Sequence, residues 1–481
     1  MAASFRDPSG QLFTTNGRVF RIIKPAAATD LKAFLVSETA KKFIDLHQLV
    51  RTDFLDAESA KSIILSNDPA EGLETDCSSV VVEHERIPFQ SFPYEWTPQM
   101  LYAAGCLTLD LAKDLLAEGF GLKDATPYNV LFRGPDPVFI DLLSFERREA
   151  SDPTWLPYAQ FVRTFLLPLL VVKHFGRRLD ELLITHRDGL GPEEVYRLSS
   201  FLKKMRPEFL TLVSLPTLLA SRAGGNGESI YRKRTETNPE KARFILERLL
   251  KSLRRKLEQV APEGSQQSTW SDYMSKNRYT EDYFPEKEEF VQASISDWRP
   301  QRILDVGCNT GHFSRLAAKS GSSVVAIDYD PVVAGEVWTR ARAERLDILP
   351  LVVDLTRPTP SIGWRNEECL SFLDRARGSF DAVLMLAVIH HMLVSERIPL
   401  SQILQLASEL TTNLLIVEFV APTDKMFRVL TRGRDHLHSD LTLDVFEAMA
   451  RKFFEIERSR RLGESDRWIY LLRKKGSPAI A

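Results

Sequence analysis

The spacing of hydrophobic and polar positions changes character three times along the chain. Residues 11–15 and 18–23 are two short strand-like runs on either side of Asn16-Gly17, a pair suited to a tight turn, so the first element predicted is a β-hairpin. Residues 30–50 and 97–119 carry apolar side chains at helical spacing, while 79–83 is a short β-branched run; the first third is therefore mixed α and β. From 155 to 222 the apolar residues fall into groups (Phe161, Phe165, Leu169 and Val172; Leu179, Leu182 and Leu183; Val195, Leu198, Phe201 and Leu202) that predict successive helices. The Gly-rich stretch 223–228 reads as a linker. After it, Asn238-Pro239 supplies an N-cap and first-turn pair for a helix over about 239–260, with Leu246, Leu249, Leu250, Leu253, Leu257 and Val260 on one side. Between 231 and 256 ten Lys/Arg stand against three Glu, with Tyr231 and Phe244 as the two aromatics, and this reads as a solvated basic face.

The last two hundred residues alternate strand and helix. Apolar runs at 302–306, 323–327, 348–353, 382–389 and 414–420 are separated by helix-length stretches, the pattern of βαβ units and a parallel sheet covered on both faces. Runs at 453–462 and 468–473 flank a turn with Gly463 and Asp466, an antiparallel hairpin closing that sheet. The fold class expected is α/β: a Rossmann-like doubly wound C-terminal sheet over 265–476, a linker and basic amphipathic helix over 223–264, and an α+β domain over 1–222.

Composition adds little that is specific. With 44% hydrophobic and 27% charged residues the chain is an ordinary folded protein, and its net charge of −2 gives no global attraction to nucleic acid or anionic lipid. The four cysteines (77, 106, 308 and 369) form no CxxC pair, which argues against a zinc site and a disulfide framework. The greasiest run, 161–172, contains Arg163 and Pro168 and is too short to span a bilayer, and the first residues lack a signal-peptide core. These features predict a cytoplasmic protein with no membrane partner, no nucleic-acid partner and no metal.

The chemical signal is concentrated in Arg302-Ile-Leu-Asp-Val-Gly-Cys-Asn-Thr-Gly-His-Phe-Ser314: a buried strand, a turn with Gly307 and Gly311, then a helix, at the sheet edge where open α/β folds bind ligands. The turn lacks the spacing of a dinucleotide fingerprint because position 309 is Asn, and Asp305 in the strand end would repel a pyrophosphate. An acid there suits an amine-bearing ligand. A second run ends in Asp328, placed for ribose hydroxyls, and a third in Asp354. Asp381 begins its strand and is read as structural.

Three acid-ended strands and one glycine turn resemble the class I S-adenosylmethionine-dependent methyltransferases, over roughly 270–476. The resemblance implies that Asp305 and the turn Gly307, Cys308, Asn309 and Gly311 hold the amino-acid end of the cofactor. It places Asp328 at the ribose and Asp354 with Leu355 at the adenine, with Tyr329 a further cofactor-binding residue. Upstream, Trp270-Ser-Asp-Tyr273 and Tyr283-Phe-Pro-Glu-Lys287 occupy the place of a lid helix, making Tyr273 and Lys287 cofactor candidates. Methyl transfer from a sulfonium needs alignment and exclusion of water more than side-chain chemistry. If the acceptor is a hydroxyl, a base helps: the fourth strand is expected to end in His390-His391, at most one of which faces the pocket, and Glu418 on the fifth strand is another candidate. Cys308 reads as a small buried residue.

In the first domain, Asp124, Asn129 five residues on, and Asp141 after a short hairpin resemble the catalytic core of the kinase-like, aminoglycoside-phosphotransferase type, with Lys24 and Glu38 upstream. Leu122 stands where that family has His, Asn16-Gly17 replaces a Gly-rich loop, and Leu-Leu-Ser follows Asp141. The resemblance thus implies a degenerate kinase-like domain that binds substrate or supports the methyltransferase. Taken whole, the chain is similar to a bacterial methyltransferase family related to a rhizobial host-specific nodulation protein. That implies methyl transfer to a small molecule, glycan or protein. The alternatives are added phosphoryl transfer by the first domain, or a cofactor-binding scaffold without catalysis.

Overall fold

Strand β1 (Gly10–Thr15) and β2 (Arg18–Ile23) form the expected hairpin, and Asn16 and Gly17 both adopt positive φ, 49° and 75°, the backbone that a two-residue hairpin turn requires. The computed structural model describes residues 7–66, 80–222, 236–262 and 283–477. The chain divides into two compact units: Met1–Gly264 with Gly363–Cys369, and Ser265–Ile362 with Leu370–Ala481.

In the first unit β1 and β2 join β3 (Thr52–Phe54) and β4 (Val80–His84) in an antiparallel sheet of order β1-β2-β4-β3. A long helix, Pro98–Leu115, follows, with Thr97 capping it by accepting from the Met100 N–H. Two small hairpin-like pairs come next, β5 (Phe120–Leu122) with β8 (Phe145–Arg147) and β6 (Val130–Arg133) with β7 (Asp136–Phe139). This sheet-then-loop order is kinase-like. The apolar run 161–172 is a core helix, with Phe161, Phe165, Leu166, Leu167, Leu169, Leu170 and Val171 all buried, which explains its greasiness without a membrane. The basic helix Pro239–Gln259 belongs to this unit: Leu246, Leu250, Leu253 and Leu257 are buried, the helix packs against Pro98–Leu115, and Arg254 reaches the Cys106 carbonyl and Asp110.

The second unit is built on a seven-stranded sheet. Its strands are β9 (Arg302–Val306), β10 (Ser323–Asp328), β11 (Ile348–Val352), β12 (Phe380–Met385), β13 (Thr411–Val420), β14 (Phe454–Arg461) and β15 (Arg467–Lys474). The order is β11-β10-β9-β12-β13-β15-β14, with β9 to β13 parallel and β15 antiparallel to both neighbours. Order reverses at β9, so the crevice beyond its C-terminal end is where such a sheet takes a ligand. Asp381 lies at the other edge, accepting from the Gln301 and Arg302 N–H groups at 2.9 Å, a structural role.

One element differs from expectation. The apolar run continues to residue 389, yet β12 stops at Met385, where its pairing with Val306 and Val417 ends. Ala387 turns to φ 56°, and Ile389–Val394 is a helix. His390 and His391 are therefore in a first helical turn and not at a strand end.

Candidate active site

The site is assembled from strand ends. Asp305, next to last in β9, is 2% exposed and its Oδ2 accepts from Ser314 Oγ at 2.5 Å; burial pushes its carboxyl up to about 6. Asp328 closes β10, accepting from the Asn309 N–H at 2.9 Å and the Asp330 N–H at 3.0 Å, and burial again pushes it up to about 6. Asp354, two residues past β11, accepts from the Thr356 N–H and hydroxyl at 2.9 and 2.6 Å. Gly307 sits at φ 67° and a Cβ there would come within 2.7 Å of Val388 Cγ2; Gly311, at φ 76°, would meet Val337 Cγ2 at 2.8 Å. The turn is thus folded too tightly for any side chain at either position.

These groups surround a cavity of about 490 Å³. Asp305, Gly307, Cys308, Asn309, Asp328, Tyr329, Asp354, Leu355, Lys287 and His391 line it. Gly311 shapes the turn without lining it, and Tyr273 lies outside the described residues. The Cys308 thiol is pushed well up by burial, as befits a small packed residue. The residues fit S-adenosylmethionine: two buried carboxyls kept protonatable by desolvation call for a cationic or hydroxyl-bearing partner, and the glycine turn leaves backbone accessible to it.

The two histidines separate. His391 faces the cavity, and burial with the nearby Arg467 charge lowers its pKa, so it is neutral at pH 7. His390 is 2% exposed, does not line the cavity, and is pushed well below its ordinary value by burial and by His391, whose ring lies 4.3 Å away. Glu418 is not available as a base. It is sealed between Lys287 Nζ at 2.5 Å and Arg467 Nη1 at 3.1 Å; burial alone would raise its pKa, but the two cations hold it below the usual value. Arg467, whose own pKa burial would lower but Glu418 and Asp424 raise, also forks onto Asp424 at 3.0 and 3.1 Å. Lys287 comes from the helix Phe284–Trp298, which also brings Tyr283 and Phe284 to the cavity. Arg467, Met426 and the rim ion pair Arg357–Glu396 were beyond sequence reasoning, since no local motif marks them.

In the first unit Asp141 is matched internally. Its Oδ1 accepts from Arg21 Nη1 at 2.8 Å and its Oδ2 from Ser144 Oγ at 2.5 Å, while Asn129 Nδ2 donates to the same hydroxyl at 3.1 Å. Asp124 stands apart, with a long contact from Gln160 Nε2 at 3.4 Å. The upstream cation is Arg21 of β2; Lys24 is exposed, and Glu38 pairs locally with Lys41. His84, on the same face of the sheet, is pushed down to about 3 by burial and by Arg21.

A reversed-order parallel sheet closed by an antiparallel hairpin, with three acids and a glycine turn on one cavity, together with a match of residues 246–443 to a family described as a methyltransferase domain, defines an S-adenosylmethionine-dependent methyltransferase domain of class I type. Over 98% of its length this chain is similar to the nodulation protein NoeA of Rhizobium meliloti (strain 1021), at 29% identity over 472 residues and 95% of that protein. Among solved structures it is similar to the N-methyltransferase NodS of Bradyrhizobium japonicum WM9 with S-adenosyl-L-homocysteine (12% identity, 43% of this chain, 100% of that one, TM-score 0.31). It is also similar to the bifunctional kinase-methyltransferase WbdD (18%, 39% of this chain, 37% of that one, TM-score 0.27).

Proposed function

We propose that the cavity holds S-adenosylmethionine with Asp305 and the 307–311 turn at the amino-acid end, Lys287 beside that end, Asp328 and Tyr329 at the ribose, and Asp354 and Leu355 at the adenine. The bound cofactor supplies a methyl group already activated on a sulfonium sulfur. The chain's own contribution is to align an acceptor nucleophile, exclude water through the helix Phe284–Trp298, and take up a proton. His391 is the group placed for the last task, neutral at physiological pH and facing the cavity. The acceptor class is a small molecule, a glycan or a protein. The observation that carries this reading is the convergence on one cavity of three strand-end acids and a turn whose Gly307 has no room for a side chain. Phosphoryl transfer by the first unit is disfavoured because both oxygens of Asp141 are engaged by Arg21 and Ser144.

The test is incubation of the purified chain with methyl-labelled S-adenosylmethionine and fractionated bacterial extract, with Asp305→Ala as the blank. Label in one fraction, lost in the variant, is expected and names the acceptor class. Cofactor binding with no label in any fraction would favour the scaffold reading; no cofactor binding would overturn the site.

A further inference from the structure

The first unit carries an apolar surface that its own core does not use. Between residues 195 and 221 the segment buries Val195, Phe209, Leu212 and Val213, and so already has a packed interior. On its outside it leaves Leu198, Phe201, Leu202, Met205, Leu215 and Leu219 exposed, with Leu202 at 80%, Phe201 at 76% and Met205 at 62%. The elements that carry them are neighbours. Helix Pro192–Leu198 packs against the turn Leu210–Ser214 and against helix Leu215–Arg222, and helix Phe201–Lys204 packs on the same turn. Side chains of this size exposed together mark an interaction surface, where scattered single residues would not.

The charges around the patch select its occupant. Residues 195–221 contain four cations, Arg197, Lys203, Lys204 and Arg206, against one acid, Glu208, which faces His174 at 3.7 Å. Two further acids, Glu193 and Glu194, stand at the far end of their helix, and Glu194 is engaged in capping the Gly191 N–H at 2.6 Å. The ammonium groups of Lys203 and Lys204 sit over the rings of Phe175 and Tyr196, 4.0 and 3.7 Å from the centroids, and Lys203 Nζ also donates to the His174 carbonyl at 2.6 Å, which fixes positive charge beside the apolar side chains. A second copy of the patch would set four cations against four. An uncharged apolar partner would strip water from those cations without compensation. An anionic bilayer surface meets both demands, with apolar tips entering the acyl boundary and cations lying among headgroup phosphates. The whole chain is close to neutral, so the positive charge is local. No helix among the described residues is long and apolar enough to cross a membrane, which makes this a contact from one side.

We infer that residues 195–221 form a peripheral docking surface for an anionic membrane. The test uses the full chain in sedimentation with vesicles of phosphatidylcholine alone or with about one third phosphatidylglycerol, at low and high salt. Binding to the anionic vesicles at least about 10-fold stronger than to neutral ones is expected at low salt, weakening as salt rises. Phe201→Ser with Leu202→Ser should lower it about 10-fold, and Arg206→Glu should remove most of the anionic preference. Unchanged thermal unfolding and cofactor affinity in these surface variants certify the fold. Equal wild-type binding to both vesicle types, or wild-type-like binding by the Phe201/Leu202 variant, would overturn the inference. So would self-association in sedimentation velocity that the same variant abolishes while no vesicle binding is seen.

Discussion

Asp305→Asn should strengthen the fold and weaken the ligand site at once. Burial raises this carboxyl from 3.8 to about 6, so the folded chain binds its proton more tightly than the unfolded chain does. Stability therefore falls as pH rises between about 4 and 6, and a shift of about two units corresponds to roughly 3 kcal/mol missing above that window. Asn has the same shape and its Oδ1 can still accept from Ser314, but it carries no charge to bury. The cofactor-free variant should be about 1 to 3 kcal/mol more stable than wild type at pH 8, and the advantage should shrink by pH 5 as the wild-type carboxyl takes up its proton. Cofactor affinity should move the other way, by about 2 to 4 kcal/mol, or roughly 30- to 1000-fold, because an ammonium group loses its anion. Urea unfolding at pH 5 and 8, with titration calorimetry of S-adenosylmethionine, measures both. A variant less stable than wild type by the same amount at both pH values, or one binding the cofactor normally, would refute the reasoning.

Three further outcomes follow from the pairings. Glu418→Gln leaves Lys287 and Arg467 buried around a neutral amide and should cost about 3 to 5 kcal/mol in denaturant unfolding, part of it recovered when Lys287→Met is added; a loss below about 1 kcal/mol would show the network to be slack. His391→Asn should lower kcat about 10²- to 10⁴-fold on the acceptor found by labelling. The wild-type rate should be flat through neutral pH and fall on the acid side below 6.5, since the pKa of His391 is lowered, and the variant should lose that limb; an unchanged profile would remove His391 from proton transfer. Calorimetry should detect no magnesium-dependent ATP binding by the full chain, whereas clear binding would mean that Arg21 leaves Asp141 when nucleotide arrives.

The parts of this protein that were legible in its sequence are those whose chemistry is local. Asp305, Asp328 and the 307–311 turn announce themselves because an acid closing a β-branched run, followed by glycines that must adopt positive φ, is a short-range pattern. The limit of β12 was not legible, because the apolar run passes through Leu386 and Val388 while the ladder stops where its partners stop; hydrophobicity there serves the ligand cavity and not the sheet. The role of Glu418 depends on Arg467, 49 residues away on an antiparallel strand, and on Lys287 from a helix that precedes the sheet. No spacing rule connects the three. Arg21 did leave a trace: in Arg-Val-Phe-Arg-Ile-Ile it shares a strand face with Val19 and Ile23, and a cation there needs a partner.

That trace separates the two centres of the chain. Each contains an acid among residues that resemble a catalytic family, Asp305 buried and Asp141 half-buried. Asp141 has its charge matched from within by Arg21 and its second oxygen held by Ser144. Asp305 accepts from the Ser314 hydroxyl, and Lys287, whose charge it feels, is bonded to Glu418; its carboxyl stays near 6. A buried acid without its own counter-ion stores an interaction that only a cation from outside can complete, whereas one already paired gains little from a ligand. By that criterion Asp305 is the acid with most to gain from a cationic ligand, whereas Asp141 already ties Arg21 of β2 to Ser144 in the loop that follows β7.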